Sequence, residues 1–517
     1  MMRIDIHKLL KLLAFNEQDP LLFNSAFFLI FFGFFLTAYL LFQKNRNTRI
    51  YFLTLFSLYF FYKTCGWYVG FILLAAVVDF NISKIIYETT SKHARKVLIT
   101  LSILLNVGLL FYFKYTNFFI DIINDVSQQQ LHPLKLLLPV GISFYTFENV
   151  SYTVDVYRRE IKPVDRFIDY LFFLSFFPKL MMGPIVRAAD FLPQIEKKPF
   201  VTDEQLGQGL YLITAGIIKK VVISDYINAN YVMYIFDNPS AHTGLECLLA
   251  VYAYAMVIYC DFSGYSDMAR GMAKWIGFEI NLNFLSPYQS SSITEFWRRW
   301  HISLSSWLRD YIYIPLGGNR SGYFNTYRNL FITMLIGGFW HGASWNFIFW
   351  GALHGAALAL HKLQKDYERK PLLVIPYSPK VTKFINKILV DLPVFTVPYS
   401  PALTKMLKVM ATFHFVCLGW IFFRCNSFAD SWTFINQIFS HFNIAVLPQL
   451  VANYANVIMM LWLGFLLHSI TSPTELEYQK FLTKLSTPLK IVYLFAAIYL
   501  AIQFKQADVI KPIYLQF

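Results

Sequence analysis

Long apolar runs alternate with short basic loops along this chain. The first run, Leu21 to Phe42, contains no charged residue. A helix needs about 20 apolar residues to cross a bilayer, so this run predicts a crossing. Two shorter runs follow, Ile50 to Tyr62 and Trp67 to Phe80, split by Lys63. They predict a pair that crosses out and back. Lys96 to Ile120 and Leu136 to Val150 predict the next two crossings. Further spans are expected at about 206–223, 245–262, 328–350, 408–424, 455–470 and 489–504, for a total of roughly ten to twelve.

The polar positions between the runs set an orientation. Lys44, Arg46 and Arg49 follow the first run, Lys84, Lys92, Arg95 and Lys96 follow the third, and Arg158, Arg159, Lys162 and Arg166 follow Val150. Cations concentrate in loops that stay in the cytoplasm, so these three loops are expected there and the N-terminus outside. Residues 1–20 interleave Arg3, Lys8 and Lys11 with Ile4, Ile6, Leu9 and Leu10, which predicts a short interfacial helix rather than a cleaved signal. Residues 167–200 are apolar but broken by Pro178 and Gly183–Pro184, with Lys179 and Arg187 inside. Such a stretch predicts a re-entrant segment buried in protein. Residues 361–407 are basic and contain proline, and predict a large cytoplasmic loop. No internal repeat or soluble domain interrupts the pattern, so residues 1–517 read as a single membrane domain.

Composition sharpens this picture. Hydrophobic residues make up 56% of the chain and charged residues 15%, too few charges to cover a large soluble enzyme. Disorder, collagen and a disulfide scaffold are excluded as well. The net charge of +14 follows from the loop cations, and needs no nucleic-acid partner. It also creates a face that attracts anionic substrates or lipid head groups. The five cysteines form no C-x-x-C pair, so neither a zinc site nor a disulfide frame is expected.

Two regions place polar groups at membrane depth, where they are expensive and usually functional. The first runs from Asp261–Phe262–Ser263–Gly264–Tyr265–Ser266–Asp267 to Arg320. Ser292 with Glu295 three residues on predicts a helix start. Trp297, Trp300, Leu304, Trp307 and Tyr311 recur at spacings of three and four, an apolar stripe on one helix ending near Pro315. Arg298, Ser305 and Arg309 form a polar stripe beside it, and His301 projects between the two. An interfacial anchoring helix is the alternative for this segment. Leu316–Gly317–Gly318–Asn319–Arg320 predicts a tight turn.

The second region is Gly337–Gly338–Phe339–Trp340–His341–Gly342–Ala343–Ser344–Trp345. Gly338 with Gly342, and Gly351 with Gly355, are small residues four apart that favour close helix packing. A neutral His341 in this apolar run suits a general base, and a hydrogen-bonded core histidine is the alternative. His354 lies about 140° round a continuous helix from His341, which points to a structural role. His361 with Asp366 forms an isolated H-x-x-x-x-D, attributed to chance. No P-loop, G-x-S-x-G, H-E-x-x-H or G-x-G-x-x-G is present.

Asp261–Asp267, Ser292–Arg320, Gly337–Trp345 and Phe176–Pro184 together resemble the membrane-bound O-acyltransferase family, and within it the bacterial alginate O-acetyltransferase branch. The detailed likeness spans about residues 140–360. It implies an all-α polytopic fold, a ring of helices with re-entrant and interfacial elements around a central funnel. The family's W-H-G histidine falls on His341 and its second polar position on His301. His at that second position, where many eukaryotic members carry Asn, fits the bacterial branch. The resemblance implies O-acetylation of an exported polysaccharide at the inner membrane, with acetyl-CoA as donor and no bound cofactor. The acceptor is then the polysaccharide itself or a partner acetyltransferase outside the cell. A D-alanyl or other acyl transferase of the same fold, or a non-catalytic polysaccharide channel or scaffold, are the alternatives.

Overall fold

A lipid-embedded backbone must satisfy its own hydrogen bonds, and this chain does so with helices. The computed structural model describes residues 13–17, 20–197, 201–320, 322–369, 401–505 and 512–513, and among these there is no strand. Most of the expected interfacial helix at 1–20, and residues 370–400 of the expected basic loop, lie outside the described residues. The flanks of that loop are helical: residues 361–369 continue the Trp345–Arg369 helix, and residues 401–407 open the Pro401–Arg424 helix.

Among the described residues, six helices are long and apolar enough to cross a membrane, within Arg46–Glu88, Lys92–Ser127, Asp203–Asp237, Gly244–Trp275, Ala402–Arg424 and Thr487–Phe504. A seventh is Ile444–Asn453 with Ala455–His468, if this pair bent by 91° is one span. The first apolar run gives a shorter helix, Ala26–Phe42, because Ser25 caps it by accepting from the Phe28 amide at 3.1 Å. The out-and-back pair is Arg46–Cys65 and Val69–Glu88, joined by a single tight turn at Gly66–Tyr68.

The abundant phenylalanine fills the interior. Phe177 meets Phe23, Phe32, Phe35, Phe56 and Phe60 with ring centroids 5.0–6.3 Å apart. Phe177 belongs to the interrupted segment, which breaks into Phe167–Ser175, Phe177–Leu180 and Ala188–Glu196 and is buried from Asp169 to Val186. Lys179 of this segment ion-pairs with Glu148, both buried. Glu148 also accepts from the Val186 amide at 3.0 Å, so it holds both arms of the break.

The 328–350 span is corrected by the structure. Its residues form a helical hairpin, Tyr323–His341 and Trp345–Arg369, folded at residues 342–344. The glycines pack across the hairpin. A Cβ on Gly338 would lie 2.3 Å from the Phe347 carbonyl oxygen and 2.8 Å from the Gly351 Cα. One on Gly342 would lie 2.1 Å from the Phe347 ring.

The basic loops gather on one face. Arg46 pairs with Asp169 at 2.9 Å, Arg166 donates to Asn47 at 2.6 Å, and Lys84 donates to the Asp165 carbonyl at 3.0 Å. Arg95 donates to the Tyr157 carbonyl, and Arg158 and Arg187 both reach Asp310. The Ile142–Arg158 helix ends in this cluster. It has 17 residues, so its start lies about 25 Å away.

Candidate active site

His301 and His341 come from different elements and meet in the core. The helix expected over 292–315 is broken between them and the cap. Ser292 starts it by accepting from the Glu295 amide at 3.3 Å, while Glu295 reaches back to the amide and hydroxyl of Ser291 rather than Ser292. The helix then stops at Arg299 and restarts at Ile302. His301 sits at the break in the left-handed region, φ 42° and ψ 57°. Histidine tolerates that region better than most residues. The break turns His301 fully inward, where it is 0% exposed. The expected turn at 316–320 forms, with Gly317 and Gly318 at positive φ and Asn329 donating to the Leu316 and Gly318 carbonyls at 3.0 and 3.2 Å.

His341 is the last residue of the Tyr323–His341 helix. Lys114 donates to the Trp340 and His341 carbonyls at 2.8 and 2.9 Å, and Tyr115 donates to the Phe339 carbonyl at 2.9 Å. These bonds satisfy the carbonyls that a helix end leaves open, and a cation there complements the helix dipole. Trp340 packs on both histidines, its ring centroid 4.9 Å from His341 and 6.2 Å from His301. Phe262 meets His301 edge-on at 4.6 Å. His301, Lys114 and His354 are ionisable neighbours of His341.

His354 is closer to the pair than a continuous helix allows. The hairpin folds it back, so that Trp350 packs on His341 at 5.0 Å and on His354 at 4.7 Å. Trp297 donates its indole N–H to His354 Nδ1 at 3.3 Å. His361 bonds Thr294 at 2.7 Å, and Asp366 takes Lys362 and Tyr327. Asp261 pairs with Lys220 at 2.6 Å and Asp267 with Lys219 at 2.7 Å, so Asp261 acts as a buried counter-ion and Asp267 as a half-buried one.

One small cleft reaches the pair, lined by His341, Trp340, Lys114, Val140, Ser143 and Phe144. It opens where the Ile142–Arg158 helix begins, about 25 Å from the basic cluster. A second, larger and open cleft is lined by Trp297, Arg298, Arg309, Asn319, Met334 and Lys362. The Nε1 groups of Trp300, Trp340 and Trp350 and His354 Nε2 are buried with no hydrogen-bond partner among the described residues. Sequence reasoning missed Lys114, Glu148 and Asn283. Lys114 carried a signal, a charge inside an apolar run, but its partners are 226 and 227 residues away.

Residues 150–398 match the family model of the membrane-bound O-acyltransferases. The chain is 38% identical over 426 residues to the probable alginate O-acetylase AlgI of Pseudomonas aeruginosa, covering 81% of this chain and 74% of that protein. It is 34% identical over 440 residues to the peptidoglycan O-acetyltransferase of Helicobacter pylori, covering 79% and 77%. Similarity extends to the teichoic acid D-alanyltransferase of Bacillus subtilis, 29% identical over 59% of this chain and 73% of that protein. A helical membrane body with a buried histidine pair, and relatives of this kind, define a membrane-embedded acyltransferase. The chain belongs to the membrane-bound O-acyltransferase family.

Proposed function

We propose that this enzyme O-acetylates an exported polysaccharide, taking acetyl from a cytoplasmic donor to a hydroxyl on the other side of the inner membrane. The observation that carries the reading is the separation of the two sides. His341 lines a cleft about 25 Å from the basic cluster, close to the thickness of a bilayer's hydrocarbon core. The basic face is the cytoplasmic one under the positive-inside rule. The cleft containing Arg298, Arg309 and Lys362 then receives acetyl-CoA, with its phosphates on the cations and its acyl end toward Trp297 and Met334. The ring of ten to twelve membrane segments around a funnel belongs to the same reading, with the short and broken helices completing the long ones.

His341 serves as general base on the acceptor hydroxyl. As the acceptor oxygen bonds to the acetyl carbon, the carbon–sulfur bond of the thioester breaks and the thiolate takes up a proton. His301 orients the reacting groups or stabilises developing charge. The acceptor is the polysaccharide itself, or a partner protein outside that passes the acetyl group on.

The test is acetyl content of the exported polymer, measured beside membrane protein level and thermal stability. General-base catalysis contributes about 10²–10⁴ in rate, so His341→Ala and His341→Gln are expected to lose acetylation by about that factor while remaining inserted and folded. Near-normal acetylation in His341→Gln refutes the base assignment. Loss of stability together with activity makes His341 a core histidine instead.

A further inference from the structure

Asn283 lies in the loop between the Gly244–Trp275 helix and Ser292, outside every motif read from the sequence. Its side-chain oxygen gathers three groups. The Ser303 amide reaches it at 3.2 Å, the Ser303 hydroxyl at 2.9 Å and His301 Nδ1 at 3.1 Å. A backbone amide can only donate, so the atom it meets is the amide oxygen and not the nitrogen. The Asn283 nitrogen donates to Ser266 at 3.4 Å, and the Asn283 carbonyl accepts from the Ile302 amide at 2.9 Å. The Ser303 oxygen is itself held as an acceptor by the Ile185 amide at 3.0 Å, and its proton goes to the nearer of its two neighbours, Asn283 at 2.9 Å rather than His301 Nδ1 at 3.5 Å. An unprotonated Nδ1 would face an oxygen lone pair at 3.1 Å. Nδ1 therefore carries the proton, and a neutral ring then has its lone pair on Nε2.

We infer that Asn283 is a positioning residue that holds His301 as the Nδ1–H tautomer, so that His301 enters acyl transfer as an acceptor through Nε2. This inference rests on the proposed role of His301. Of the two roles open there, orienting a donor or stabilising negative charge, the tautomer selects the first. A neutral Nε2 offers no hydrogen to an oxyanion. It can hold the acceptor hydroxyl before attack, or an N–H of His341 once His341 has taken the proton. His354 is fixed the opposite way, since the Trp297 indole donates to its Nδ1. The left-handed break and the Asn283 bonds thus act together: one turns the ring inward and the other sets which nitrogen faces the reaction. The rings of Phe144, Phe262 and Trp340 pack on His301, and His341 is its ionisable neighbour.

Two measurements on the purified full chain test this, one of them independent of turnover. Nitrogen NMR on histidine-labelled protein, with the His301 signal assigned by its loss in His301→Gln, is expected to show a protonated Nδ1. A protonated Nε2 with bare Nδ1 overturns the inference whatever the activity. The second measurement is the pH dependence of thiol release from acetyl-CoA. Asn283→Asp keeps the acceptor for Nδ1–H and Ser303 but adds a negative charge beside the ring. That charge favours the imidazolium, which has no lone pair, so the acid limb of the profile is expected to move up by about 1 unit or more. Asn283→Leu is expected to lower kcat by about 10-fold or more, and the aspartate variant to recover kcat above that limb. An unshifted limb in Asn283→Asp, or a wild-type kcat in folded Asn283→Leu, overturns it. Absence of turnover in wild type, with the expected tautomer present, counts against acetyl-CoA as donor and leaves the positioning role standing.

Discussion

At the scale of single residues, the most exposed dependence is on Glu148. Its carboxylate faces Lys179 and the Val186 amide inside the core, and all its partners belong to the broken segment. Removing one member of a buried pair leaves an uncompensated charge, which costs about 3–5 kcal/mol. Lys179→Met and Glu148→Leu are each expected to lose roughly that much stability, and the double variant to recover most of it. Thermal unfolding of the purified protein measures both. A double variant as unstable as either single one would mean that the pair holds shape rather than compensating charge. The sequence shows Lys179 as a charge among apolar residues, as it shows His341. It hides Glu148 and Asn283, because their roles depend on groups that meet them only in three dimensions. The tautomer of His301, in particular, needs the Ser303 amide to identify the oxygen of Asn283.

At the scale of elements, periodicity was informative about faces and blind to breaks. The stripe from Trp297 to Tyr311 has helical spacing, and its buried members do turn inward. A single left-handed residue at His301 leaves that spacing almost intact while redirecting the chain. The glycines of the second region were legible as packing residues, but they pair across the hairpin, Gly338 against Gly351. A side chain at Gly338 must push the Phe347 backbone away. Gly338→Ala is therefore expected to destabilise by about 1–3 kcal/mol. Gly33→Ala, where nothing lies within 4 Å, is the control and should be neutral or slightly stabilising. Paired unfolding curves of the two variants check this, and equal stability would show that the hairpin can open without loss.

At the scale of the whole molecule, the class of protein was readable from composition and run lengths alone. The shared side of the basic loops was readable too: the loops near Arg46, Lys84, Arg95 and Arg158 converge on one face. The path of the chain through the middle was not. Short helices such as Phe177–Leu180 have no periodicity of their own, and they are held by buried contacts from Ser57 and Glu148. Residues near the chain's end also join the core unannounced, the Ile513 amide donating to Asp261 at 2.8 Å.

The distance between the basic cluster and the His341 cleft has an electrical meaning. On the proposed route the acetyl group is neutral and the charged donor stays on its own side. The hydroxyl, however, gives up its proton on the far side, and the thiolate takes one up on the basic side. Each transfer then carries one positive charge outward across the membrane. A charge crossing 100 mV is worth about 2.3 kcal/mol, or about 50-fold in an equilibrium ratio. In sealed vesicles with the basic face inside and an imposed inside-negative potential, the acetylated ratio at equilibrium is expected to fall by about that factor. A fraction indifferent to the potential would mean that both protons are exchanged on one side. If the potential does act, the membrane voltage works against this enzyme, and an energised cell decorates its exterior only while its acetyl donor stays in large excess over the spent thiol.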